Sequence, residues 1–203
     1  MDQREYILCV DDEKIVLDSL RAQLRQFFKS DYIIETAESG DEGLEILEEF
    51  HKGVVKSLNQ EQSGIQDGMD ASICVYDEDA EQLMYAGAKR PLVYVKNGQM
   101  EYVKGGSLPI GGLTEYERVY SNHVVQIDTE TTCYIFSDGF VDQHGGEDNT
   151  RFKIKTFRDL IFKNSDKPLL EQQKRLEETM INWQGEHPQT DDMLVIGFKI
   201  SPN

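Results

Sequence analysis

The sequence predicts an α+β protein: an antiparallel, β-rich core with packed helices, preceded by a short parallel α/β segment. Three observations carry this. In the first 50 residues, short apolar runs alternate with helix-period stretches, the rhythm of a parallel sheet. From residue 71, short alternating runs follow one another with only turn residues between them, the rhythm of antiparallel pairing. Two stretches of helical spacing and one last apolar run then close the chain.

The elements follow in order. Residues 6–10, "YILCV", form a short buried strand that runs into the acids "DDE". Val16, Leu20, Leu24 and Phe28 share one face of a helix over 14–28. A second strand runs from Tyr32 to about Thr36. Gly40 breaks the pattern, and "DEGLEILEEF" reads as a second helix with Leu44 and Leu47 inward. The segment is therefore βαβα. Further on, "ASICVYD", "QLMYAGA", "LVYVKNGQMEYVKGG", "NHVVQID" and "TTCYIFSDG" are short strands. Asn97-Gly98 marks a tight hairpin, because both central positions of a type I′ turn need positive φ. Helices are expected over 155–163 and 168–183. The second opens on Pro168, a good first-turn residue, and carries Leu169, Leu176, Met180 and Trp183 on one side. "MLVIGFKI" is the last strand. No Pro/Gly/Ser linker joins the two parts, and the join is placed within 50–57, "FHKGVVKS".

The composition is that of a globular chain: 203 residues, 38% apolar, with nine Tyr, nine Phe and one Trp. No apolar run approaches the roughly 20 residues a membrane span needs. Cys9, Cys74 and Cys133 are scattered in apolar surroundings without a CxxC, and read as buried, reduced thiols. The N-terminus "MDQREYILCVDDE" carries acids at once and no signal-peptide pattern, so a cytoplasmic protein is expected. A net charge of -17 argues against nucleic-acid and anionic-membrane partners. It fits simple solubility first, and otherwise a set of carboxylates converging on divalent cations.

Two motifs give the second alternative a location. Asp138 follows the apolar run "YIF" and precedes Gly139, which would let the backbone turn sharply. Asp191 and Asp192 stand immediately before the last strand. If those two strands are neighbours, Asp138 and Asp191 could meet. Carboxylates gathered at one point repel unless a cation or proton intervenes. A pair of Mg²⁺ or Mn²⁺ ions would neutralise them and activate a water toward a phosphate ester. The alternatives are an ordinary "SDG" turn and a solvated "DD" cap. Lys89 and Arg90 in "AGAKRP" are candidates for attracting phosphate, or else an exposed basic loop. His51, His123, His144 and His187 show no metal-ligand spacing, and Ser137 has no triad partners in the sequence. Gly105-Gly106 and Gly111-Gly112 flank "SLPI" and read as a mobile loop.

Residues 59–200 resemble the C-terminal portion of a SpoIIE-type serine/threonine phosphatase, within the metal-dependent PPM (protein phosphatase 2C-like) superfamily. "DGMDASICVYD", "LMYAGAKRPLVYVKNGQ", "LPIGG", "YIFSDGFVDQHGG" and "DDMLVIGFKI" carry the resemblance, in that order. It implies that Asp138 and Asp191 are the catalytic acids that ligate a dinuclear Mn²⁺ or Mg²⁺ centre. Gly139 would shape the backbone there, and Asp192 would support it. The implied reaction is hydrolysis of phosphoserine or phosphothreonine on a regulatory protein. The anti-sigma-factor antagonists of bacterial partner-switching pathways are the type. Residues 1–52 resemble the start of a response-regulator receiver domain, through "ILCVDDEKIVLDSLRAQL" and "TAESGDEGLEIL". That resemblance makes Asp11 and Asp12 a Mg²⁺-binding acidic pair and implies a histidine kinase upstream. The alternative is an acid-rich helix start, favoured by the helix dipole.

Both resemblances are partial. Two of five receiver strand-helix units are present, and "HKGVVKSLNQ" holds no phosphoacceptor Asp. The Gly-His-Gly segment that opens the phosphatase family, with its neighbouring acids, does not occur. The expected organisation is a partial receiver-like segment at 1–52 and a phosphatase-like domain at 53–203 lacking its N-terminal part. Such a chain completes its core with receiver-derived strands, or by exchange of elements in a homodimer. Two functions follow: a metal-dependent phosphatase, or a catalytically inactive phosphatase-like module that binds its partner.

Overall fold

A computed structural model describes residues 5–10, 22, 32–37, 51–56, 59–63, 67–112 and 120–202. Strands β1 (Glu5–Val10) and β2 (Tyr32–Ala37) pair in parallel, Glu5 opposite Tyr32 and Val10 opposite Ala37. This is the pairing that the strand-helix-strand rhythm predicts. Of the helix expected over 14–28, only residue 22 is described, and it is helical. Asp11, Asp12 and the helix expected over 41–50 lie outside the described residues.

Residues 51–56 are helical, where the sequence alone suggests a join between two parts. The reason is visible at Val54, which packs on the buried cluster of Ile73, Val75, Ala86, Ala88 and Ile110. His51 adds to it by accepting the Gly111 N–H on Nδ1 at 3.0 Å. A stretch with such partners is an element of the fold and not a connector.

The chain divides into two compact units. The first comprises Met1–Lys89, Gly105–Gln126 and Asn203. Within it, β4 (Ala71–Asp77), β5 (Gln82–Ala88) and β9 (His123–Gln126) form an antiparallel sheet in the order β4-β5-β9. A short helix α1 (Gln60–Ser63) and the two-residue strands β3 (Gly68–Met69) and β8 (Ile110–Gly111) lie beside it. The "SLPI" loop expected to be mobile is held at both glycine pairs. Gly106 bridges to Ala88, Gly111 pairs with Gly68, and Gly112 donates to Gln60 Oε1 at 2.7 Å. Backbone groups that find partners pin a glycine-rich loop that composition alone marks as loose.

The second unit comprises Arg90–Lys104 and Ile127–Pro202. Its sheet runs β13-β10-β6-β7, all antiparallel, from β6 (Leu92–Lys96), β7 (Gln99–Val103), β10 (Thr131–Phe136) and β13 (Val195–Ile200). The β6–β7 hairpin turns at Asn97 (φ 51°) and Gly98 (φ 68°), as the Asn-Gly pair predicts. After β10 come α2 (Asp138–Asp142), the paired β11 (His144–Gly145) and β12 (Thr150–Arg151), α3 (Ile154–Asn164) and α4 (Leu169–Gln184). The core of this unit is aromatic. Phe157 is fully buried, its ring 4.4 Å from that of Phe136 and 5.1 Å from that of Phe140. Met180 is buried in the same cluster, with Leu176 and Trp183 packed against it. These are three of the four residues whose spacing marks the inward face of α4. Among the described residues, no helix is long and apolar enough to cross a membrane.

Candidate active site at the ends of two neighbouring strands

The condition set by the sequence is met in the second unit: the strand before Asp138 and the strand after Asp191-Asp192 are hydrogen-bonded neighbours. Phe136, the last residue of β10, stands opposite Val195, the first of β13. β10 is buried along nearly its whole length, as the apolar run "YIF" requires. Beyond it the chain enters α2, with Asp138 in its first turn.

Ser137 is the pin that holds the two acidic segments at one place. Its backbone N–H donates to Leu194 O at 3.0 Å. Its hydroxyl donates to Asp192 O at 2.7 Å and accepts the Leu194 N–H at 3.0 Å. The hydroxyl therefore makes no cap bond to α2, although Ser137 occupies the cap position. Gly139 completes the approach. Its φ is not positive, so a sharp turn is not what calls for glycine here. A Cβ at this position would run into the Asp192 carbonyl oxygen and crowd the Asp191 carbonyl carbon. Glycine is needed here for close backbone contact, not for a left-handed conformation.

A second clasp lies one turn further on. Gln143, fully buried, donates from Nε2 to Pro188 O at 3.0 Å and to His144 O at 2.9 Å. Its carbonyl accepts the Trp183 indole N–H at 3.1 Å, and its Oε1 accepts the Thr190 N–H at 3.4 Å. The segment 188–194 is thus tied to α2 at both ends. Within it, Asp191 Oδ1 accepts the Asp192 N–H at 2.7 Å, and Asp191 O accepts from Gln189 Nε2 at 2.8 Å.

Arg90 reaches this site. Its Nη2 donates to Asp138 Oδ2 at 2.9 Å. The Arg90 side chain is 17% exposed and that of Asp138 47%, so a largely buried guanidinium sits on a half-open carboxylate. Arg90 is therefore not part of an exposed basic loop. Lys89 belongs to the first unit, with Nζ 3.8 Å from Asp70 Oδ1 and a left-handed backbone (φ 60°). Ser137, Gln143 and the pairing of Arg90 with Asp138 were not readable as site features. Only the register of β6, Leu92 opposite Ile135, brings residue 90 to the end of β10.

Carboxylate oxygens are hard donors of the kind Mg²⁺ and Mn²⁺ take. The guanidinium on Asp138 marks that carboxylate as one that attracts a cation. In chemistry the donors suit a divalent ion. In number they are incomplete, since no group of three or more His, Cys, Asp or Glu among the described residues is placed to hold a metal.

With this geometry in view, the chain matches the sequence profile of the SpoIIE family, stage II sporulation protein E, over residues 19–201, and it belongs to that family. No curated protein sequence matches it. Among solved structures it is similar to the SiaA-PP2C domain of Pseudomonas aeruginosa. The identity is 27% and the TM-score 0.59, over 77% of this chain and 69% of that one. It is similar in fold to the serine/threonine phosphatase of S. agalactiae (15% identity, TM-score 0.51, 79% and 70% covered). A third similar fold is the Mn-presoaked phosphatase domain of the cell fate determinant SpoIIE from Bacillus subtilis (19% identity, TM-score 0.50, 81% and 74% covered). The fold is that of PP2C-type phosphatase domains.

Proposed function

We propose that the chain is a metal-dependent protein serine/threonine phosphatase of a bacterial signalling pathway. One observation supports this: Ser137 and Gly139 bring the backbone beside Asp138 against the backbone of Asp191 and Asp192 at the ends of β10 and β13. Asp138 and Asp191 would hold the divalent cation, with Asp192 in support and further oxygens from water. The manganese soak of the related Bacillus subtilis domain supports Mn²⁺ as the first ion to test. When bound, the ion polarises a phosphoryl oxygen and makes a bound water a better nucleophile. The chain's own contribution is rigidity, because the Ser137 and Gln143 clasps fix the acidic segment before any ion arrives. The substrate class is phosphoserine or phosphothreonine on a regulatory protein, of the anti-sigma-factor antagonist type. A receiver-like origin of residues 1–52, with Asp11 and Asp12 as its acidic pair, belongs to the same proposal.

A second reading has its own support. Arg90 already neutralises Asp138, and the described acids fall short of a metal set. Both favour a partner-binding module that has lost turnover. Hydrolysis of a phosphoserine peptide by the folded chain, across a Mn²⁺ titration, separates the two. The phosphatase shows Mn²⁺-dependent turnover that falls by about 100-fold or more in Asp138→Asn. A folded chain without turnover at any Mn²⁺ concentration leaves the binding module as the function.

A further inference from the structure

The second unit carries an open sheet edge and an apolar groove side by side. β13 is an outer strand of its sheet, and among the described residues it pairs with β10 alone. Edges of natural sheets are usually blunted by charge, proline or a bulge. This one pairs without a break in register from Val195 to Ile200 and holds no proline. Its single charge, Lys199, is taken up by Glu130 at 2.8 Å. Ile196 is 44% exposed, and Leu194, just before the strand, is 54% exposed. Across the groove, α4 turns a stripe outward in which Leu170 is 74% exposed and Ile181 69%. Gln173 and Glu177 complete that stripe at helical spacing. Gly197 lines the groove from the strand side. A Cβ there would meet Tyr134 and Leu169 at ordinary contact distances of 3.4 to 3.6 Å, and its φ is not positive. The chain's own fold does not demand glycine at this point, and the missing side chain keeps the groove open to another chain.

We propose that this edge and groove dock a partner protein through one extended segment, apolar with basic residues, laid along β13. The unpaired edge takes a strand, whose main chain supplies the hydrogen bonds while alternate side chains enter the groove. The exposed Leu170, Ile181 and Ile196 call for apolar residues at those positions. Glu177 calls for a basic one, being the only charged side chain that lines the groove. Glu171 is occupied by Lys167 and Arg175, whereas Glu177 pairs with no cation among the described residues and accepts only from Gln173 Nε2 at 2.9 Å. The same charge disfavours a second copy as the occupant. Pairing two β13 edges about a two-fold axis would join two chains of net charge -17, each with Glu177 at the seam. The groove ends where the candidate site begins. Val195 follows directly on the 191–194 segment that Ser137 holds, and Met193 and Leu194 line the groove. A docked segment therefore runs up to Asp191 and Asp192. Docking of this kind needs no bound ion and serves a phosphatase and a turnover-free binding module alike.

The test is fluorescence anisotropy of a blocked, dye-labelled peptide that repeats Val-Lys-Val-Thr, titrated with the full chain. Two further peptides separate strand pairing from charge: Val-Glu-Val-Thr reverses the charge, and Pro-Lys-Val-Thr keeps it but cannot pair as a strand. The chain variants are Leu170→Ser, Ile181→Ser and Glu177→Gln. Phe162→Ser is the control, an exposed apolar residue of α3 outside the groove. Thermal melts establish that each is folded. The Val-Lys-Val-Thr peptide is expected to bind wild type, and the other two at least about tenfold more weakly. Leu170→Ser and Ile181→Ser should each weaken binding about tenfold, Glu177→Gln about threefold, and Phe162→Ser less than about twofold. Amide hydrogen exchange should slow at β13 when the peptide is bound, and not at β7, the other edge of the sheet. No binding by the Val-Lys-Val-Thr peptide overturns the proposal. So does equal binding of the proline peptide, or equal binding by the groove variants, since either shows mere attraction to an acidic chain. A dimer in sedimentation that Ile196→Lys dissociates puts a second copy in the groove and also overturns it. None of these outcomes touches the phosphatase reading, which turns on Asp138 and Asp191.

Discussion

At the residue scale, Ser137 ties together two acidic segments distant in sequence. Its hydroxyl is used twice, as donor to Asp192 O and as acceptor from Leu194 N. Alanine removes both bonds and leaves the Leu194 N–H without that acceptor. A cost of about 1–3 kcal/mol is expected in urea unfolding, together with weaker Mn²⁺ binding as the 191–194 segment loosens. A variant that loses stability but keeps full Mn²⁺ affinity would show the pin to be structural only. The sequence displayed Asp138, Asp191 and Asp192 plainly, because an acid at the end of an apolar run is a local pattern. It did not display the pin. Serine before a short helix reads as a cap, and its actual partners lie 55 and 57 positions away. At Gly139 the sequence does not distinguish a turn from a close contact, since both call for glycine, and the fold shows the contact.

At the element scale, the site depends on how α2 and α3 seat on the sheet behind β10. The aromatic cluster does this, with Phe157 of α3 wedged between Phe136 of β10 and Phe140 of α2. Phe157 is 0% exposed, so Phe157→Ala is expected to cost about 3–5 kcal/mol in the second unit, by lost burial and by the cavity left behind. A urea midpoint that shifts by less than 1 kcal/mol would mean that the helices repack. Elements of this kind were legible wherever period and turn chemistry agreed. The strands 71–77 and 82–88, the Asn97-Gly98 hairpin and both long helices fall where the pattern puts them. The helical residues 51–56 were not, because "HKGVVK" has too few apolar positions to show a period. Its helix is fixed by tertiary partners, Val54 in the core and His51 on Gly111.

At the scale of the whole molecule, each unit carries an acid whose surroundings disfavour its ionised form, the half-buried Cys74 and the buried Tyr134. In the first unit, burial pushes the Cys74 thiol up to about 12. In the second, burial pushes the Tyr134 phenol up to about 12, and the phenol donates to Gln172 Oε1 at 2.6 Å, a bond that only the protonated form makes. Both raised values favour the protonated form in the folded chain. The stability they contribute is complete below the unfolded values, near 9 for the thiol and 10 for the phenol, and is lost as pH climbs toward 12. For Tyr134, 1% exposed, the loss amounts to about 2–3 kcal/mol over that interval. Repulsion within a chain of net charge -17 also grows at high pH, so a falling stability by itself identifies nothing. A comparison with Tyr134→Phe isolates the phenol, since the charge background is shared. Near neutral pH the variant should be less stable by about 1–2 kcal/mol, because Gln172 Oε1 loses its donor. Between pH 10 and 12 the wild type should lose its advantage and fall level with the variant or below it, as only the wild type must bury or ionise a phenol. Urea midpoints measured at pH 8, 10 and 11.5 decide the matter. A gap that stays constant across the three would mean that Tyr134 ionises as readily in the fold as in the unfolded chain.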